Sequence, residues 1–277
     1  MKIKIVSDSS SNILEMKGLD YTSVPLKIIV GEKEFVDAKE LDIKNMIKTL
    51  AAFNDKTSTS CPNSSEWLEA FGDADIVYGF SITSNLSGCY NAAMQAKIMC
   101  EEERPDVKIH IFDSLSVGPE VQLLMEKLIE FINAGLFFEE TVEKMNEYMT
   151  HTHLLFSLES LANLARNGRV SPLVAKAAGL LGIRLVGKAS DVGTLEPISK
   201  CRGEKKAIAE IMKLMKEHGY KGGPVRIAHC YNEGAAAALK EKIIADFPDA
   251  EIQVLLCTGL CSYYAEKGGV LVGYTDL

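Results

Sequence analysis

No stretch of the 277-residue chain approaches 18 consecutive apolar residues, so a transmembrane helix is not expected. The start, Met1-Lys-Ile-Lys-Ile-Val-Ser-Asp8, lacks the long apolar segment of a secretory signal. No block of Lys and Arg stands out. The 30 basic and 38 acidic side chains give a formal charge of −8, which argues against nucleic acid or an anionic membrane as partner. The cysteines are seven, an odd and widely scattered set that suggests reduced thiols and a cytoplasmic location. Only Cys257 and Cys261 are close, without a second pair or a nearby His, so no metal site is expected. There is no G-x-x-x-x-G-K-[ST] phosphate loop, and no G-x-G-x-x-G follows a strand-like run. Gly79-Phe-Ser81 begins like a nucleophile elbow but lacks its second Gly.

What remains is an ordinary globular composition, 47% hydrophobic and 25% charged, in a length that suits one large domain or two ordinary ones. Strand-like runs at Lys2–Asp8, Asp75–Ile82 and Val107–Phe112 are each followed by a polar turn and then by helical spacing. That alternation predicts an α/β fold with a parallel sheet flanked by helices. The texture changes after about residue 155. Ile183–Gly187 and Thr194–Lys200 read as a hairpin turning at Ser190-Asp-Val-Gly193, mixed with helices at Leu158–Arg166, Leu173–Leu181, Glu204–His218 and Gly234–Phe247. Two domains are expected, 1–155 as an α/β unit and 156–277 as an α+β unit with a mixed sheet.

Four hydroxyl-rich turns carry most of the functional information: Asp8-Ser-Ser-Ser11, Ser58-Thr-Ser-Cys-Pro62, Thr83-Ser-Asn-Leu-Ser-Gly88 and Asp113-Ser-Leu-Ser116. Ligands of open parallel sheets gather outside the carboxyl ends of the strands. A following helix N-terminus favours an anion, and Ser or Thr hydroxyls donate to it without burying a charge. Each turn taken alone reads better as the N-cap of its helix. Together they describe a small-anion site. A triad of Ser87, His229 and Asp113 is conceivable, but His229 also fits a packed strand end. His151 and His153 suit a polar strand entry better than a metal, and Asp37 reads as a turn acid. Arg166 and Arg169 flank Gly168 at a helix end, where cations are favoured. With Arg202 they also make a candidate basic patch.

Several of these segments are, in order and spacing, similar to motifs of the DegV family of bacterial fatty-acid-binding proteins. They are Val6-Ser-Asp8-Ser-Ser-Ser11, Val24-Pro-Leu26 with Asp37 downstream, Thr59-Ser-Cys-Pro62 (against T-S-Q-P), Ser84-Asn-Leu-Ser-Gly-Cys-Tyr-Asn-Ala-Ala93 (against S-S-x-L-S-G-T-Y-x-x-A), Asp113-Ser114, Gly168-Arg-Val-Ser171 and Arg202. The resemblance spans nearly the whole chain. It implies two domains with a long-chain fatty acid buried between them, the first holding its head group and the second covering its acyl chain. The Thr59 and Ser87 hydroxyls and the Gly88 N–H would hold the carboxylate, with Ser84 and Tyr264 beside them. The bound acid, with no other cofactor, would be presented to a fatty acid kinase that docks on Arg166, Arg169 and Arg202, the carrier itself having no catalysis. Burying about 15 methylene and methyl groups supplies on the order of 12 kcal/mol of gross transfer energy, so a few neutral hydroxyls suffice to orient the head group.

Three positions depart from the family pattern. Cys89 stands for Thr, Arg184-Leu185 for Lys-Pro, and Ser262–Gly269 replaces an H-x-G-P-G segment, with Tyr264 the match to its His. A phenol can hydrogen-bond a carboxylate but carries no positive charge. Two alternatives follow: a Ser87-dependent acyl hydrolase or transferase, and a divergent relative that binds another small amphiphile.

Overall fold

The computed structural model describes residues 1–178 and 182–277. Along the chain come strands β1 (Ile3–Asp8), β2 (Tyr21–Val24), β3 (Lys27–Val30) and β4 (Lys33–Val36), helix α1 (Ile43–Ala52), β5 (Thr57–Ser60) and α2 (Ser64–Phe71). Then follow β6 (Ile76–Ser81), α3 (Cys89–Glu103), β7 (Lys108–Asp113), α4 (Pro119–Asn133) and α5 (Phe138–Met149). The second half contains β8 (Thr152–Leu158), α6 (Ala162–Arg166), α7 (Pro172–Ala178), β9 (Ile183–Ala189), β10 (Leu195–Arg202) and α8 (Glu204–Glu217). It ends with β11 (Val225–His229), α9 (Glu233–Asp246), β12 (Ile252–Leu256), α10 (Gly259–Ala265) and β13 (Val270–Thr275).

The first sheet has the order β2-β1-β6-β7 and is parallel throughout. Successive side chains of a strand point to opposite faces. Val77 therefore packs with Trp67, Phe71, Ala93 and Ala96 of α2 and α3, while Tyr78 and Phe80 pack with Leu124, Leu128 and Met145 of α4 and α5. Both faces are covered, and β6 is buried along its whole length, the usual condition of a parallel sheet.

The second sheet is mixed, in the order β10-β9-β8-β13-β11-β12, with only β11 and β12 parallel. One face packs on α8 and α9 through Leu155, Val186, Ile227 and Val272. The other carries Leu154, Phe156, Leu158 and Leu271 and faces α6 and α10. The expected hairpin is β9–β10, with Gly193 N–H donating to the Ser190 carbonyl in its turn. The division expected at residue 155 falls inside β8. That strand pairs with β9 and β13 along Thr152–Leu158 and belongs whole to the second sheet.

The first half, expected to be parallel throughout, also contains antiparallel structure. Residues 27–60 include a three-stranded antiparallel sheet, β4-β3-β5. Its strands are four residues each, too short to show a period. Its core of Ile28, Val30 and Met46 is completed by Tyr263 from α10, far along the chain. Helix α10 was also missed, and the helix expected over Leu158–Arg166 is only α6. The end of the helix expected over Leu173–Leu181 lies outside the described residues.

Helix α4 joins the two main sheets. Its first turn rests on β13 at Gly273, where a Cβ would come within 2.5 Å of the Pro119 and Glu120 backbone. Buried Arg226 on β11 reaches Glu126 of α4 at 2.7 Å and Glu251 at 2.7 Å.

Candidate functional site

A cavity lies between the parallel sheet and the mixed sheet, about 840 Å³ when counted out to its solvent-facing mouth. From the mixed-sheet side it is lined by Leu154, Phe156, Leu158 and Leu271, which share one face of adjacent strands. Leu195 and Ala189 of the hairpin extend that apolar wall. From the parallel-sheet side come the loops after β6 and β7, with Ile82, Thr83, Leu86, Ser87, Leu115 and Ser116. Leu26 and Thr59 add a wall from the small sheet, and Leu260, Cys261 and Tyr264 one from α10.

Several polar groups interrupt the apolar lining. The Thr59 hydroxyl and the Tyr264 phenol share a hydrogen bond of 2.7 Å. Burial pushes the Tyr264 phenol above its ordinary range, so it is neutral at physiological pH and keeps its proton to donate. Ser87 Oγ accepts from Cys89 N–H at 3.3 Å in the turn that opens α3. Gly88 is the N-cap of that helix and provides no side-chain cap. The first N–H groups of a helix have no intrahelical acceptor and favour an anion. Arg169 Nε donates to the Leu86 carbonyl at 3.0 Å, which brings a guanidinium to the cavity beside this loop. On its other flank, Asn85 Nδ2 donates to Val192 O at 2.6 Å and Gly193 packs against Thr83 and Leu115. Gly193 has φ +74°, and a Cβ there would collide with Thr83 Oγ1 at 2.1 Å. Only Gly fits this closure of the hairpin tip onto the loop.

Thr59, Ser87 and Tyr264 thus line one cavity. Neither Ser84 nor Gly88 is among its lining residues, and the Ser84 N–H donates to Asp113 Oδ1 at 3.0 Å. Arg166 and Arg202 are exposed, whereas Arg169 is half-buried at the cavity. The basic character of Arg169 was legible, but its inward placement was not, since it depends on α6 packing beside the loop after β6.

The Ser87, His229 and Asp113 triad is not assembled. Ser87 Oγ donates to Cys89 Sγ at 3.2 Å, His229 Nδ1 accepts from Asn232 N–H, and Asp113 accepts from the Ser84 and Leu115 N–H groups. His151 and His153 both pair with Asp276, at 2.8 and 3.0 Å. Among the described residues no group of three or more His, Cys, Asp or Glu side chains is arranged to hold a metal ion. No helix among them is long and apolar enough to cross a membrane.

Asp37 is not a turn acid. It is fully buried and accepts from Gly259 N–H at 2.7 Å and Leu260 N–H at 2.9 Å, capping α10. Burial pushes its carboxyl up to about 6, against the pull of these donors. A Cβ on Gly259 would lie 2.7 Å from Asp37 Oδ1, so the cap requires Gly there. Asn163 Nδ2 donates to the Tyr263 carbonyl, and the Tyr263 hydroxyl meets Thr57 at 2.7 Å and Asn167 at 2.9 Å. These contacts fix the helix that presents Tyr264. The spacing Asp37…Gly259 carries no local signal in the sequence.

Comparison with known proteins agrees with this architecture. The family described as "Uncharacterised protein, DegV family" matches residues 2–275. A DegV domain-containing protein of Streptococcus pyogenes serotype M3 is 45% identical over 278 residues, covering 99% of each chain. The crystal structure of the Streptococcus pneumoniae fatty acid kinase (Fak) B3 protein loaded with linoleic acid is 43% identical, covers 100% of both chains and superposes with a TM-score of 0.98. A DegV family protein from Eubacterium eligens loaded with heptadecanoic acid is 41% identical, covers 99% of this chain and 100% of its own, and gives a TM-score of 0.97. The chain belongs to the DegV family.

Proposed function

We propose that this protein binds a long-chain fatty acid, with its carboxylate at Thr59, Ser87, Gly88 and Tyr264 and its acyl chain along Leu154, Phe156, Leu158 and Leu271. The observation that carries the reading is a cavity lined by Leu154, Phe156, Leu158 and Leu271 that also receives the hydroxyls of Thr59, Ser87 and Tyr264. Similar proteins loaded with linoleic and heptadecanoic acids support it. Arg169 adds a guanidinium near the head group and offsets the loss of positive charge where Tyr264 stands for the family's His. Ser84 holds the loop through Asp113 and acts on the carboxylate only by that support.

The protein is a carrier and not an enzyme, working in the cytoplasm and presenting the carboxylate to a fatty acid kinase. Exposed Arg166 and Arg202 belong to that docking face. The dispersed partners of Ser87, His229 and Asp113 count against the hydrolase alternative. Mass spectrometry of lipid extracted from the purified protein should release one or a few fatty acids. Ser87→Ala should retain less of them. A lipid-free protein that also fails to take up added fatty acids would overturn the reading.

A further inference from the structure

Cys61 and Cys89 have no place in the carboxylate contacts above, yet they adjoin them. Cys61 follows Thr59 by two residues, and Cys89 follows Gly88. A Cβ built on Gly88 would lie 3.4 Å from Cys61 Sγ, so the thiol rests against the backbone that leads into Cys89. The two thiols lie close enough to influence one another's hold on a proton. Ser87 Oγ donates to Cys89 Sγ at 3.2 Å. Cys61 is exposed, whereas the other six cysteines are buried.

The surroundings of Cys61 separate it from the rest. The neighbouring Cys89 thiol and, to a smaller degree, the Arg169 guanidinium hold the Cys61 thiol well below its ordinary range. Buried Asp8 faces the Cys89 thiol. Cys61 and burial push the Cys89 thiol up, so it waits as the protonated partner, and burial likewise pushes up Cys230, Cys257 and Cys261, which have no such lowered neighbour shown beside them. An exposed thiolate beside a second thiol is the usual arrangement of a redox-responsive pair.

We propose that Cys61 and Cys89 are an oxidation site at which a hydroperoxide drives formation of a Cys61–Cys89 disulfide, and that this disulfide weakens binding at the adjoining carboxylate site. The Cys61 thiolate attacks a peroxide oxygen. An S–O bond forms, the O–O bond breaks, and the leaving alkoxide or hydroxide takes up a proton. Cys89 then attacks the Cys61 sulfur, the S–S bond forms, and the oxygen departs as water with the proton that Cys89 releases. Two thiols lose two electrons, and the hydroperoxide becomes an alcohol, or water when it is hydrogen peroxide, with one further water formed. Such disulfides in a reducing compartment are transient.

The coupling half of the proposal rests on the fatty-acid reading. A bound carboxylate at Ser87 and Gly88 places negative charge next to the Cys61 thiolate and covers it, so the loaded protein oxidises more slowly. A disulfide fixes the strand end carrying Thr59 to the start of α3 and replaces the sulfur partner of Ser87. Linkage requires that the two events oppose each other in both directions.

The test uses the full chain stripped of lipid and treated with hydrogen peroxide, with palmitic acid as the binding probe. The expected result is a linked pair of Cys61 and Cys89 peptides, about 2 Da lighter than the reduced pair. Palmitate affinity should fall by at least about fivefold and return on reduction with dithiothreitol. Cys61→Ser should form no such disulfide and should keep its palmitate through peroxide. Cys100→Ser should behave as the parent. Over-oxidation of Cys61 without the linked peptide overturns the site, and a disulfide that leaves palmitate affinity unchanged overturns the coupling. Reduced protein that binds no palmitate overturns the fatty-acid reading alone, because the disulfide is still judged by mass.

Discussion

Thr83, Ser87 and Ser116 reach the cavity from loops that follow parallel strands, whereas Leu154, Phe156 and Leu158 reach it from one face of an antiparallel-paired strand. The difference follows from backbone geometry. A parallel sheet covered on both faces has no free face to offer, so it meets a ligand at its carboxyl edge, where chain ends are polar and helices begin. The mixed sheet has α8 and α9 on one face and leaves alternate side chains of β8 and β13 for the other. Loops supply direction and hydrogen bonds. A sheet face supplies apolar area in a fixed register. An amphiphile needs one of each, and the cavity lies where the two meet.

The apolar wall is built by packing, so the largest effect is expected there. Phe156 lies over Gly187, whose absent Cβ would sit 2.5 Å from its ring. Phe156→Ala should cost about 3–5 kcal/mol in urea unfolding, the usual result of emptying a buried aromatic site. A loss below about 1 kcal/mol would mean that this wall is already slack.

The joint between the walls gives the next effect, and it depends on pH. Glu120 is buried at the start of α4 and accepts from Thr152 on β8 at 2.8 Å and from Ser116. Burial pushes its carboxyl from 4.5 up to about 7. The folded state thus holds this proton more tightly than the unfolded chain. The stabilisation is full below about 4.5 and is lost as pH rises through about 7. Glu120→Gln should flatten the decline in stability between pH 5 and pH 8 by about 3 kcal/mol. Parallel denaturation curves of parent and variant at the two pH values would count against it.

Gly273→Ala separates the same two regions by sterics, since its Cβ meets the backbone of Pro119 and Glu120. It should cost about 1–3 kcal/mol and lower the thermal midpoint with a single transition. An unchanged midpoint would show that α4 can withdraw from β13 freely.

The smallest effect belongs to the polar groups. Thr59→Val removes one of the two hydroxyls in the 2.7 Å pair with Tyr264. It should leave folding nearly intact and weaken fatty-acid affinity by about 1 kcal/mol, about fivefold. Calorimetric titration checks this, and an equal loss in stability and affinity would place Thr59 in the scaffold instead.

The legible parts were those with local signatures. The run Ile76–Ser81 showed a buried parallel strand, and Thr83–Gly88 showed a polar turn ahead of a helix. Ser190–Gly193 showed the hairpin turn that closes on it. The small sheet β4-β3-β5 was hidden because four-residue strands carry too little periodicity. Helix α10 was hidden because its cap, Asp37, lies on the far side of the sequence.

The sequence by itself determined the α/β alternation, the change of texture near residue 155 and the hydroxyl-rich turns, because each rests on spacing within a few residues. Only the tertiary structure decided that Arg169 turns inward, that Asp37 caps α10 to present Tyr264 to Thr59, and that Cys61 lies beside Cys89. Those pairings join residues well separated along the chain, from 28 positions for Cys61 and Cys89 to 222 for Asp37 and Gly259. Burial and hydrogen-bond satisfaction across a folded core select them, and no local pattern encodes such distances.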